Sequence, residues 1–187
     1  MMIPAIAILI FAWSLKGMGD ALEISTFVKN IVGNNASASV ILPAVLFVVA
    51  VFLSFSTGTS WGTFAILVPI AIAMFPGSEN VQMMIIAVSA VLAGAVCGDH
   101  ISPISDTTVM SSAGAQSNHI NHVTTQMQYA AVVAVVSFIG YIIAGFIHIW
   151  WVVLGISLVL LLIILNVLRR ISNGKEQCAD MQEKKHA

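Results

Sequence analysis

Apolar residues fall along this chain in long blocks separated by short polar clusters, not in the two-residue alternation of a half-buried strand. A helix that crosses a bilayer needs about 20 mostly apolar residues. Near the C-terminus the pattern predicts two such spans, Val123 to Ile147 and Trp150 to Leu168. His148-Ile149-Trp150-Trp151 joins them, and paired tryptophans suit the membrane–water interface. The first block, Ile3 to about Leu15, is short and is interrupted by Lys16-Gly17-Met18-Gly19-Asp20 before an amphipathic piece, Ala21 to Val32. It reads as a tilted span with a polar continuation or as a broken helix.

The middle of the chain departs from this plain pattern twice. Val40 to Phe55 and Phe64 to Phe75 are apolar arms flanking Ser56-Thr57-Gly58-Thr59-Ser60-Trp61-Gly62-Thr63. One unbroken helix over both arms would be about 55 Å long, well beyond a hydrocarbon core of about 30 Å. A re-entrant hairpin of half-length arms with a polar tip fits better. Val81 to Val96 is apolar again and is followed by the polar string Cys97 to Thr108, then by the short segment Val109 to Ala115 and the polar Gln116 to His122. This predicts a discontinuous helix. Gly98 is suited to end its first half, Pro103 cannot continue it, and Ser105 or Asp106 can cap the second half.

Composition turns these spans into a membrane protein. The chain has 187 residues, of which 59% are hydrophobic and 8% charged; a soluble domain carries about 25% charged residues. The mean hydropathy is +0.99. The expected fold is all-α, polytopic and transmembrane, with a membrane domain over 1–168 and a polar, mobile, cytoplasmic tail over 169–187. Arg169 and Arg170 directly follow the last span, and the positive-inside rule places that end in the cytoplasm. No basic n-region or small-residue cleavage site suggests a signal peptide. Cys97 and Cys178 lie in unlike settings, which argues against a disulfide framework. No basic patch points to nucleic acid.

Charge placement then marks candidate chemistry. Between Asn30 and Leu168 there is no Lys or Arg, and the acids are Glu79, Asp99 and Asp106. Glu79 belongs to a Pro-Gly-Ser-Glu-Asn turn. Asp99 and Asp106 lie at a helix break within membrane sequence, where an ionisable group marks an ion or proton path by default. With no local basic partner, a bound cation or a proton is left to neutralise them. A helix break also frees carbonyls for a cation, and Ser and Thr add hard oxygen ligands. For Asp106, helix capping is an equally open reading. His100, beside Asp99, is either a modulator of pH response or simply a polar residue at the break. The hydroxyls of Thr57, Thr59 and Ser60 make the hairpin tip a candidate second wall; close helix packing is the alternative. Gly94 and Gly98 form a small-residue pair better suited to packing. His119 and His122 offer only a remote prospect of metal binding. Two carboxylates sharing a proton could also serve an intramembrane aspartyl protease, but the seven-residue spacing of Asp99 and Asp106 across a proline break matches no such signature. The chain is expected to be no enzyme.

Phe55-Ser-Thr-Gly-Thr-Ser-Trp-Gly-Thr-Phe64, Gly98-Asp-His-Ile-Ser-Pro-Ile-Ser-Asp-Thr-Thr-Val-Met-Ser-Ser112 and Asn118-His-Ile-Asn-His-Val-Thr-Thr-Gln-Met-Gln-Tyr129 resemble the NhaC-type sodium/proton antiporters, over Met2 to about Leu168. The resemblance implies a bacterial inner-membrane Na⁺/H⁺ antiporter of the wider ion-transporter superfamily, built from two inverted repeats whose hairpin and broken-helix tips meet. It carries over Asp99, Ser102, Ser105, Asp106, Thr107 and Thr108 as site positions, with Na⁺ at Asp99 and Asp106. No cofactor is implied beyond the transported Na⁺ and H⁺. Full members are longer, so this chain looks like the C-terminal half, partnered in the lipid bilayer by the other half or by a second copy. Relatives that exchange malate or lactate leave an organic-acid exchanger as an alternative. An inactive fragment or a non-catalytic subunit is another.

Overall fold

The computed structural model describes residues 36–75, 81–147 and 149–186, together with Ser14, Met18 and Ala21. Apart from those three residues, the expectations for Ile3 to Val32 lie outside the described residues, as do those for the turn around Glu79 and for His148. The described residues form six helices and short turns, with no strand among them: α1 Ala36–Thr57, α2 Ser60–Met74, α3 Val81–Ile101, α4 Asp106–Gly114, α5 His119–Phe146 and α6 Trp150–His186. Among these helices, four have apolar windows long enough to cross a membrane, within α1, α3, α5 and α6.

The first arms are longer than the sequence pattern suggested. α1 has 22 residues and α3 has 21, so each can span a hydrocarbon core by itself, whereas α2 has 15 and α4 nine. In α1 the polar tip is not excluded from the helix. Ser56 and Thr57 donate back to the carbonyls of Phe52 and Leu53 at 2.8 and 2.9 Å, a local bond that lets hydroxyl side chains ride in a helix. The reversal is confined to Gly58 and Thr59. Gly58 takes φ +67°, and its N–H donates to the Ser54 carbonyl at 2.8 Å, a left-handed helix stop. Thr59 then caps α2, its hydroxyl accepting from the Gly62 N–H at 3.4 Å.

α3 is the centre of the bundle and packs against α1, α2, α4 and α5. Gly98 does not end it, contrary to expectation. The helix continues one turn further, because Gly98 is used instead to bring α1 close. A Cβ there would meet the Val51 carbonyl oxygen, the Phe55 nitrogen at 2.9 Å and Ser54 Cβ at 3.0 Å. Gly94 makes the same kind of approach to the Phe47 carbonyl and to Ala50 Cβ. The small-residue pair is therefore a packing device, as its spacing suggested. Ser54 adds a bond of 2.6 Å from its hydroxyl to the Ala95 carbonyl. The core between α1, α2 and α3 is made of Leu46, Ala50, Leu67, Ala71, Phe75, Ala87, Val91 and Ala95.

α5 lies across α1 and α3, where Phe47 and Tyr141 stack with centroids 5.4 Å apart and Tyr141 donates to the Ser89 carbonyl at 3.0 Å. α6 packs on α5 alone among these elements, and none of its apolar window is buried. Its helix continues through Arg169 and Arg170 to His186. Helix faces bearing Phe52, Ile85, Leu154 and Leu158 are apolar and exposed, as lipid contact requires.

Gly58 offers a direct test of the turn. A left-handed backbone costs a side-chain-bearing residue about 1–2 kcal/mol. A Cβ would also meet Ile104 Cγ1 and its carbonyl oxygen, both at 2.9 Å. Gly58→Ala is expected to lower the unfolding temperature in detergent by several degrees. An unchanged melting curve would show that the turn is not seated against Ile104 as described.

Candidate functional site

The segment 102–105 between α3 and α4 folds against the Gly58–Thr59 turn. Ser102, fully buried, donates to the Phe55 carbonyl at 2.8 Å, and Ile104 sits over Gly58. The two polar interruptions of the sequence therefore meet in space. Asp99, in the last turn of α3, is 6% exposed and lies at this junction.

Each hydrogen bond to the Asp99 carboxylate comes from a hydroxyl. Ser105 Oγ donates to Oδ1 at 2.7 Å, and Ser60 Oγ, from the first residue of α2, donates to Oδ2 at 3.3 Å. Thr107 Oγ1 stands 3.5 Å from Oδ2 and 2.7 Å from Ser105 Oγ. A hydroxyl has one proton, so the short bonds define a chain from Thr107 to Ser105 to Asp99. Thr107 is exposed, and the chain leads from the surface to a buried carboxylate.

The local fold explains why these groups converge. Ser105 occupies the N-cap position of α4, yet its hydroxyl makes no capping bond, because it is directed at Asp99. The carbonyls at the end of α3 are engaged within the chain. The Asp99 carbonyl accepts from the Ser102 N–H at 3.2 Å and lies 3.5 Å from Thr108 Oγ1, which also stands 3.4 Å from the His100 carbonyl. Thr108 thus closes the break from the α4 side.

The other expected positions distribute as follows. Asp106 is the first residue of α4 and is exposed; it shares no hydrogen bond with Asp99, so the two form no proton-sharing dyad. Its charge is favourably placed at a helix N-terminus. Thr57 and Thr59 bond within the turn and do not reach Asp99. His100 points away, with Nδ1 on the Val96 carbonyl at 3.1 Å. Among the described residues no group of three His, Cys, Asp or Glu is placed to hold a metal ion. His119 and His122 instead bind hydroxyls of α4. His119 also reaches the break, with Nε2 on the Pro103 carbonyl at 2.8 Å. Sequence reasoning missed that contact; the only available signal was two histidines on one face at the start of a helix. It also missed Ser54, whose place inside an apolar run resembles tolerated polarity until its partner on α3 is known.

Chemically, the arrangement is a buried acid ringed by hard oxygen atoms. Such a donor set suits a proton or a small hard cation and offers nothing to soft metals.

A family model described as "Na+/H+ antiporter family" matches residues 1–146. A protein of Haemophilus influenzae described as uncharacterized is 50% identical over 142 residues, covering 76% of this chain and 27% of that protein. A Malate-2H(+)/Na(+)-lactate antiporter of Bacillus subtilis is 32% identical over 111 residues, covering 59% of this chain and 23% of that protein. The chain spans about a quarter of the length of the curated relatives it matches. No solved structure matches.

Proposed function

The chain belongs to the Na⁺/H⁺ antiporter family, and on that premise we propose that it exchanges Na⁺ for H⁺ at the Asp99 carboxylate. The observation that carries this reading is the Asp99 environment: 6% exposure, with hydroxyls from two separate elements as its hydrogen-bond partners. An ionised carboxylate in such a place calls for a neutralising cation. Na⁺ and H⁺ satisfy that need in mutually exclusive ways. With the proton bound, Asp99 becomes a donor and the Ser105 and Thr107 hydroxyls reverse direction. With Na⁺ bound, the same hydroxyls turn their lone pairs to the ion.

The hydroxyl chain through Ser105 to Thr107 supplies a proton route between the carboxylate and the exposed end of the site. Ser60 joins the site from the hairpin and Ser105 from the break, so a relative shift of the two elements would take the ligand set apart. That is the form an alternating-access step requires. Ser102, Thr108 and Asp106 belong to this machinery as supports of the break. Thr57 and Thr59 hold the turn that carries Ser60.

The family is one of transporters, and the chain is an integral membrane protein. We place it in a bacterial inner membrane, with the end that follows Arg169 and Arg170 in the cytoplasm. The rest of a longer transporter, or a second copy, would complete the path, with no cofactor beyond the transported ions. A second reading has one specific support: the Bacillus subtilis relative is named for malate and lactate as well as Na⁺ and H⁺.

Everted membrane vesicles test both readings. A preset proton gradient is expected to collapse on addition of Na⁺ in vesicles carrying the complete transporter that contains this sequence. Lowering the pH should raise the Na⁺ needed, because the proton occupies the same carboxylate. Ser105→Ala, which removes one neutral oxygen, is expected to raise the half-saturating Na⁺ about fivefold to tenfold. A collapse that requires malate or lactate would favour the organic-acid reading. A gradient that ignores Na⁺ with and without either acid would sink the proposal.

A further inference from the structure

His119 opens α5, directly after the N-cap Asn118, and it is half-buried against α4 and the break. Its Nε2 lies 2.8 Å from the Pro103 carbonyl oxygen. A carbonyl only accepts, so Nε2 carries a proton. The other ring nitrogen, Nδ1, meets Ser112 Oγ at 3.0 Å. One imidazole thus ties together α5, α4 and the segment 102–105. The Pro103 carbonyl is the point at which α5 holds that segment; Ser102 on one side reaches Phe55 of α1, and Ser105 on the other reaches Asp99. One turn along α5, His122 makes only a 3.3 Å contact with Ser111 Oγ and does not touch the break.

We propose that His119 is a positioning residue for the Asp99 site: by holding the Pro103 carbonyl it sets the segment 102–105, and with it the approach of Ser105 to the carboxylate. The ion-binding part of this inference rests on the reading of Asp99 as the Na⁺/H⁺ site. The geometric part does not. His119 touches neither carboxylate nor ion, so its influence passes through the break. The proline makes this hold effective, because its ring fixes one backbone torsion and leaves few ways for the segment to move.

The test is amide hydrogen exchange on the purified complete transporter that contains this sequence, in detergent, followed over residues 102–109, with and without Na⁺. His119→Ala is expected to speed exchange there about fivefold, the effect of one lost hydrogen bond. His119→Gln, whose amide can place an N–H near the position of Nε2, should restore the slow rate. His122→Ala should leave the segment unchanged while loosening the same helix seam. In the wild-type chain Na⁺ should slow exchange in this segment. The half-effect concentration should rise in His119→Ala and return toward the wild-type value in His119→Gln. Unchanged exchange in His119→Ala, or equal acceleration in His122→Ala, would overturn the positioning role. If the exchange pattern holds but Na⁺ slows none of these proteins, the role of His119 stands and the Na⁺ assignment of Asp99 falls.

Discussion

Asp99→Asn is expected to abolish the Na⁺-driven collapse of a proton gradient, with the half-saturating Na⁺ raised at least about a hundredfold. The substitution keeps the shape and removes the charge. A unit charge pair about 4 Å apart near a protein surface is worth about 4 kcal/mol, and every 1.4 kcal/mol is about tenfold in affinity. Desolvation of the ion takes back part of that, which leaves the hundredfold floor. The amide also brings N–H donors into a ring of hydroxyls that now donate inward from Ser60 and Ser105, so at least one of them must turn away. Asp106→Asn is expected to act more weakly, because Asp106 is exposed and outside the ring. Proton-gradient collapse in everted vesicles ranks the two variants. If Asp106→Asn silences Na⁺ exchange while Asp99→Asn keeps it, the ion sits at the helix N-terminus and not at the buried carboxylate.

Gly98→Val is the substitution expected to damage the fold most. Overpacking a core costs about 1–3 kcal/mol when neighbouring side chains can yield. Here the nearest atoms are the Val51 carbonyl oxygen and the Phe55 nitrogen of α1, with Ser54 Cβ beside them. A helix backbone yields only by moving the whole helix, and α1 is tied to α3 by the Ser54 bond to Ala95. A loss of at least about 3 kcal/mol is expected, seen as poor accumulation in membranes and a large drop in unfolding temperature. Because Gly98 adjoins Asp99, exchange activity should fall with the fold. Gly155→Ala in α6 is the control: a Cβ there meets nothing within 4 Å, and the added methyl, which also favours the helix, should leave the melting temperature unchanged or slightly raised. Equal stability in the two variants would mean that α1 and α3 do not approach at Gly98.

Much of this was legible in the chain itself, for reasons that belong to single residues and their spacing. A charge-poor stretch from Asn30 to Leu168 has one comfortable solvent, lipid, and its length and apolar blocks require helices. Pro103 and the polar run Ser56 to Thr63 mark the interruptions, because one cannot continue a helix and the other sets hydroxyls between two apolar arms. Asp99 is conspicuous as an acid without a basic neighbour, and the motif around it identified the family. The spacing of Gly94 and Gly98 signalled close helix packing.

Tertiary structure decided most of the rest, because those decisions depend on partners far along the chain; Ser56 and Thr57 are the exception, held helical by carbonyls four residues back. Local sequence could not say that Ser56 and Thr57 stay helical or that α3 runs past Gly98. The first depends on back-bonds to α1's own carbonyls, and the second on α1 lying against the glycine. It offered both Asp99 and Asp106, with helix capping an equally open reading for Asp106. Burial separates them: Ser60, 39 residues away, and Ser105 gather around the first, while the second stays exposed. It gave His119 only a remote prospect of metal binding and no other role, whereas the fold turns the ring onto the Pro103 carbonyl. Composition and periodicity record which solvent each segment prefers. Which hydroxyl meets which carboxylate is set only when α1, α2 and α3 pack, since that packing brings the turn at Gly58 onto the break at Pro103.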